Sequence, residues 1–126
     1  MKTSKYIDCS PSVYFRETEF QKVGCSSKDM SLDLLNKLDH FRELYGQPVT
    51  ISSAFRSVEH EKKHGRTGTS SHCKGLAVDI YCIGDQTRFE MLNAALLAGF
   101  CRIGVGNTFL HLDIDPDKTQ DCIWTY

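Results

Sequence analysis

The sequence predicts an α+β fold, a small and mostly antiparallel sheet flanked by helices, and three observations carry that prediction. Helical and strand periodicities are mixed along the chain, in the order helix, strand, loop, strand, helix, hairpin. The pair Gly106-Asn107 separates two apolar runs and is the strongest two-residue hairpin signal present. The 126 residues, 40% hydrophobic and 25% charged, have the composition of one ordinary globular domain with one core, which excludes a disordered or fibrous chain.

Taken in order, residues 1–23 scatter Tyr6, Tyr14, Phe15 and Phe20 among polar residues around Ser10-Pro11-Ser12. This predicts an arm packed on the core, with a short helical turn at Thr18-Glu19-Phe20. From Ser31 onward, Leu34, Leu35, Leu38, Phe41 and Tyr45 recur on one helical face, with Ser31 to cap the start and Gly46 to end it. Residues 49–55 are rich in β-branched side chains and read as a strand ending at Arg56. Residues 57–63 predict one or two charged helical turns, and residues 65–71 a polar loop of the kind that carries function at the rim of a sheet.

Residues 76–82 alternate as a strand, Leu76, Val78 and Ile80 facing the core and Ala77, Asp79 and Tyr81 the other side. Residues 86–98 predict a second long helix capped by Asp85, burying Phe89, Leu92 and Leu96 with Ala95 beside them. Residues 101–105 and 108–114 form the hairpin strands, and Ile123-Trp124-Thr125-Tyr126 docks the polar tail back on the sheet.

The formal net charge of -1 gives no electrostatic case for nucleic acid or an anionic membrane as partner. The longest apolar stretch, residues 94–100, is too short to span a bilayer. No apolar run follows Lys2 and Lys5, so no secretory signal is expected, and the reading is of a monomer made in the cytoplasm without membrane insertion. Six cysteines could form three disulfides. The absence of any C-x-x-C pair favours reduced, mostly buried thiols.

The chemistry concentrates in two stretches. Ser70-Ser71-His72-Cys73-Lys74-Gly75-Leu76-Ala77-Val78-Asp79 sets an imidazole and a carboxylate seven positions apart across a turn. His111-Leu112-Asp113-Ile114-Asp115 aligns its polar members on one face of a strand. Two histidines and one carboxylate make a zinc shell with an open fourth position, so His72, Asp79 and His111 are the candidate ligands of one zinc ion per chain. Alone, Asp79 would read as a capped or ion-paired carboxylate and His111 as a satisfied core histidine. His40 receives no role, and His60 and His64, four apart without the intervening Glu of H-E-x-x-H, read as solvated.

The pattern Ser70-x-His72-x-x-Gly75-x-Ala77-x-Asp79, followed by Phe109-Leu110-His111-Leu112-Asp113, resembles the M15 group of zinc peptidases. That group includes D-alanyl-D-alanine carboxypeptidases and peptidoglycan endopeptidases, and shares its metal-site architecture with the hedgehog signalling domain. The likeness runs from about Phe15 to Tyr126, supported by Phe15-Arg16-Glu17-Thr18-Glu19-Phe20, Ile51-Ser52-Ser53-Ala54-Phe55-Arg56-Ser57 and Trp124-Thr125-Tyr126. It implies His72, Asp79 and His111 as zinc ligands, Arg56 as the arginine that contacts substrate and polarises the scissile carbonyl, and Ser70 as a holder of substrate polar groups. The chain departs from the family at the proton acceptor. Thr108 stands where several members carry Glu, and Phe109 where others carry His. Asp113 remains as the catalytic base or, equally, as the group that accepts the N–H of a ligating histidine.

The resemblance implies hydrolysis of peptide bonds in peptidoglycan stem peptides, as carboxypeptidase or endopeptidase, with selectivity shaped by residues 57–71. Without a signal, such an enzyme reaches the wall by another route, for example a phage lysis or tail apparatus. The alternative is a zinc-stabilised binding module of the same fold without catalysis. A cysteine-based redox or metal protein built around Cys73 is the third reading, disfavoured by the unpaired spacing.

Overall fold

The computed structural model describes residues 10–126; the N-terminal part of the predicted arm, with Tyr6 and Cys9, lies outside the described residues. Helices α1 (Glu17–Gln21), α2 (Leu32–Tyr45), α3 (Val58–Lys63) and α4 (Asp85–Leu97) accompany strands β1 (Ile51–Ser53), β2 (Ala77–Tyr81), β3 (Arg102–Val105), β4 (Phe109–Asp113) and β5 (Cys122–Thr125). The strands form one sheet in the order β1-β2-β4-β3-β5. Every pairing is antiparallel except that of β3 with β5. The α+β class and the mostly antiparallel sheet are therefore as the sequence predicts.

Local chemistry explains the long helix. The Ser31 hydroxyl accepts the Leu34 N–H at the start of α2, and Gly46 ends it with φ +78°, a left-handed conformation that only glycine adopts at little cost. Leu34, Leu35, Leu38 and Phe41 are wholly buried. They join Val78, Ile80, Ile103, Leu110 and Leu112 of the sheet in a hydrophobic core that also takes in Phe15 and Phe20. The segment before α1 is tied to α2 by Asp39, which accepts the Ser12 hydroxyl at 2.6 Å and the Val13 N–H at 2.9 Å.

Three expectations need correction. Helix α4 buries Met91, Ala94 and Ala95, whereas Phe89 and Leu96 are 72% and 50% exposed. Two stripes satisfy the helical period there, and the one that faces inward is rich in small residues, which suit a helix packed against α2. Asp85 is the first helical residue, preceded by Gly84 at the cap position. The five described cysteines are free, as expected, but only Cys82 is fully buried. Among the described residues, no helix is long and apolar enough to cross a membrane.

Candidate metal centre

One face of the sheet joins the core; the other carries polar and aromatic side chains in rows set by strand register. Across β2, β4, β3 and β5, Asp79 pairs with His111, His111 with Gly104, and Gly104 with Trp124. The neighbouring row runs Ala77, Asp113, Arg102 and Cys122. Directly opposed residues on one face have Cβ atoms about 5 Å apart, so register alone brings Asp79 against His111. A Cβ on Gly104 would lie 2.7 Å from the Trp124 indole nitrogen, so glycine lets Trp124 fold over the strand beside His111, ring centroids 5.4 Å apart.

His72 reaches the same place from outside the sheet. It sits in a 3-10 turn, Ser71–Lys74, in which the Ser70 hydroxyl accepts the His72 N–H at 3.1 Å. The turn closes at Gly75, with φ +69°, and is pressed so near residue 29 that a Cβ there would stand 2.2 Å from the Asp29 carbonyl oxygen. Its other anchor is Asp115, wholly buried, which accepts the Ser71 hydroxyl at 2.8 Å and the Lys74 ammonium at 3.1 Å. Asp115 thus fastens the turn to the end of β4.

The result is a cluster in which one donor atom from each of His72, Asp79 and His111 lies within 4.8 Å of the others. Asp79 Oδ1 is 3.3 Å from His72 Nε2 and 2.9 Å from His111 Nδ1. The remaining ring nitrogens are spoken for: His72 Nδ1 donates to the Ala54 carbonyl at 2.8 Å, and His111 Nε2 donates to Asp113 Oδ2 at 2.7 Å. In the neutral imidazoles those bonds leave the other ring nitrogen's lone pair on the Asp79 side, the orientation that a shared ion would need. Ligand atoms held ~2.1 Å from one zinc ion in a tetrahedral shell are ~3.4 Å apart, close to the 3.3 Å and 2.9 Å that separate Asp79 Oδ1 from the two imidazole nitrogens. The donor set fits a metal ion.

Between themselves the same groups act as hydrogen-bonded acid–base pairs. Burial opposes the ionised form of Asp79, but hydrogen bonds and charge from His111 and His72 outweigh it and hold the carboxyl well below its ordinary range. Burial likewise disfavours a charged His111, and the carboxylates of Asp113 and Asp79 reverse this and raise it. Asp113, 1% exposed, is kept ionised against its burial by His111 and by Arg102, whose Nε donates to Oδ1 at 2.7 Å. Arg102 is in turn fixed by the Thr119 carbonyl and lies over the Trp124 ring.

The cluster lines a cavity of about 470 Å³ together with Arg56, Glu61, Arg66, Ser70, Phe109 and Tyr126. Arg56 is held by Ser53, whose hydroxyl accepts from Nη1 at 3.0 Å, and its backbone N–H donates to the His72 carbonyl at 3.3 Å. Phe109, with the Tyr126 ring 5.0 Å away, makes an aromatic wall. The structure thus gathers Arg56, Ser70, His72, Asp79 and His111. Asp113 stands apart, behind His111 and outside the cavity lining, its oxygens occupied by His111, Arg102 and the Asp115 N–H.

Residues 11–113 match the family model described as Peptidase M15. The chain belongs to the M15 peptidase family. Its fold is similar to that of the Serratia marcescens L-Ala D-Glu endopeptidase ChiX, with a TM-score of 0.59 at 16% identity over 83% of this chain and 92% of that one. No curated protein sequence matches the chain.

Sequence reasoning missed several residues that shape this M15 site. Arg102 was assigned no role, and its pairing with Asp113 depends on a register that only the folded sheet supplies. Glu61, in the short charged helix Val58–Lys63, was assigned no role but is 0% exposed and paired with Arg56 and Arg66. His60 and His64 are exposed, their rings 4.3 Å apart.

Proposed function

We propose that this chain is a zinc peptidase that hydrolyses peptide bonds in peptidoglycan stem peptides, with His72, Asp79 and His111 holding one ion. The observation that carries the reading is the cluster itself. Its donor atoms converge within 4.8 Å at a cavity, and the distal nitrogens of both histidines are already committed to the Ala54 carbonyl and Asp113. A zinc ion bound there supplies a Lewis acid for the scissile carbonyl and lowers the pKa of water towards ~7.

The chain's own residues do the rest. Arg56, anchored through Ser53, is placed to donate to the carbonyl oxygen as negative charge develops on it. Ser70 spends its oxygen as acceptor on the His72 N–H and keeps its O–H to donate to a substrate carbonyl or carboxylate. Phe109 and Tyr126 exclude water from one side of the cleft. Asp113 holds the His111 ring in orientation and tautomer rather than taking a proton from the reacting water. Family membership supports peptidase chemistry, and the likeness to an L-Ala D-Glu endopeptidase makes that bond the first to test.

One observation favours a second reading, the zinc-stabilised binding module. Of the carboxylates lining the cavity, Asp79 is committed to the cluster and Glu61 to two arginines. Incubating zinc-loaded protein with defined muropeptides and following products by mass spectrometry separates the two. Zinc-dependent cleavage at one peptide bond supports the peptidase; bound zinc without cleavage of any muropeptide supports the module.

A further inference from the structure

The metal-cluster cavity is not the only concavity at Arg56. A second cavity, of about 520 Å³, is lined by Arg56 and Arg66 together with Asp29, His60 and His64. The two cavities share Arg56 and Arg66. Both volumes are in the range of built ligand sites. They meet at a pair of guanidiniums.

Those guanidiniums are held in place by Glu61. Its carboxylate is wholly buried, accepts from Arg66 Nη1 at 2.7 Å and lies 3.4 Å from Arg56 Nε. Among the described residues, neither Arg56 Nε nor Glu61 Oε1 has a hydrogen-bond partner of good geometry, although both atoms are buried. Arg66 is fixed a second time by its backbone, whose N–H donates to the Glu61 carbonyl at 2.8 Å. The wall that continues from it is packed rather than loose. A Cβ on Gly68 would stand 2.8 Å from Val58 Cγ1, and the Thr67 and Thr69 hydroxyls share a hydrogen bond at 2.7 Å.

One carboxylate facing two guanidiniums leaves a net positive charge, and Arg66, with its side chain 51% exposed, presents the remainder of its donor fork to the cleft. A planar fork of this kind recognises carboxylates in two-point fashion. A compact cavity of the size that holds the metal cluster is roughly 10 Å across, about three residues of an extended peptide at ~3.4 Å each.

We propose that Arg66, positioned by Glu61, binds a free carboxylate carried by the peptide substrate within about three residues of the scissile bond, with the His60 and His64 side of the cleft receiving the rest of that residue. The proposal rests on the peptidase reading and names its substrate class: acidic peptides in preference to their carboxamide counterparts. Glu61 is a positioning residue. It acts through Arg66.

The test uses zinc-loaded full-length protein and two peptides that differ only by one carboxylate converted to carboxamide. Wild type is expected to cleave the acid with about 10- to 100-fold higher kcat/KM, mostly through KM, the size of one charge-assisted contact. Arg66→Gln should remove that preference, lowering kcat/KM for the acid about 10-fold or more beyond any loss with the amide, and Arg66→Lys should restore part of it. Equal cleavage of both peptides by wild type, or an Arg66→Gln variant that weakens both alike, would overturn the subsite and leave the peptidase reading standing. Should wild type cleave neither peptide, that reading fails, and calorimetric binding of the same pair still decides the subsite. Tighter binding of the acid, lost in Arg66→Gln, supports it; equal binding overturns it.

Discussion

The His111 imidazole lies between two carboxylates, with Asp79 Oδ1 2.9 Å from Nδ1 and Asp113 Oδ2 2.7 Å from Nε2. Asp79 is on the cavity side and Asp113 behind it, so in the proposed zinc peptidase the two acids would divide between holding an ion and holding the ring that helps hold it. Asp113→Asn should therefore weaken zinc binding about 10- to 100-fold, with turnover recovering at excess zinc. Competition against a chromogenic chelator reads the affinity. A variant that holds zinc as tightly as wild type and yet cannot turn over would instead make Asp113 the proton acceptor.

Arg102, 8% exposed, joins His111 in keeping Asp113 charged inside the sheet. Removing it in Arg102→Met leaves a buried carboxylate with His111 and the Asp115 N–H but no guanidinium, and should cost about 3 kcal/mol in the metal-free protein, measured by urea denaturation. Adding Asp113→Asn should recover part of that loss, because the charge that Arg102 compensates is then gone.

Much of this site was legible before any coordinates, and the reason is geometric. His72 and Asp79 are joined by a turn with a glycine at its left-handed position, and His111 is an odd-numbered member of an alternating strand, so spacing alone constrains where all three point. The core face of α2 was legible because one stripe of large apolar residues dominates it. On α4 two stripes compete, and the bulkier one, with Phe89 and Leu96, lost to Met91, Ala94 and Ala95. Cross-strand partners were not legible, since Arg102 meets Asp113 only through the β3–β4 register. Glu61 was hidden for a similar reason. Its burial comes from two arginines outside its own helix, Arg56 before it and Arg66 after it.

Glu61 gives a pH prediction. Burial works against its charge, but the hydrogen bond from Arg66 and the charge of Arg56 prevail and lower its folded-state pKa. A lowered carboxyl contributes stability that is fully present above the unfolded value of about 4.3 and is lost as pH falls through the folded value. Glu61→Gln should be less stable than wild type by about 1–3 kcal/mol at pH 7, since both arginines keep some contact with solvent. The gap should stay constant down to about pH 5 and close below about pH 4. Thermal melts across pH 3 to pH 8 read it, on the scale set by that same linkage. A gap that widens in acid would contradict the ion-pair account.

Gly75 carries the turn that presents His72. Gly75→Ala faces both a left-handed backbone, about 1–2 kcal/mol, and collision with the Asp29 carbonyl 2.2 Å away. A loss of at least about 2 kcal/mol is expected on denaturant unfolding, together with weaker zinc binding. Wild-type stability in that variant would mean that the turn is free to move away from Asp29.

The account stands most directly on how many zinc ions the protein holds and through which residues. Native mass spectrometry of the purified protein after zinc loading and desalting should show one ion per chain, with none retained in His72→Ala or Asp79→Ala although both variants stay folded by circular dichroism. Wild-type protein without zinc, or a His72→Ala variant that still carries one ion, would contradict it.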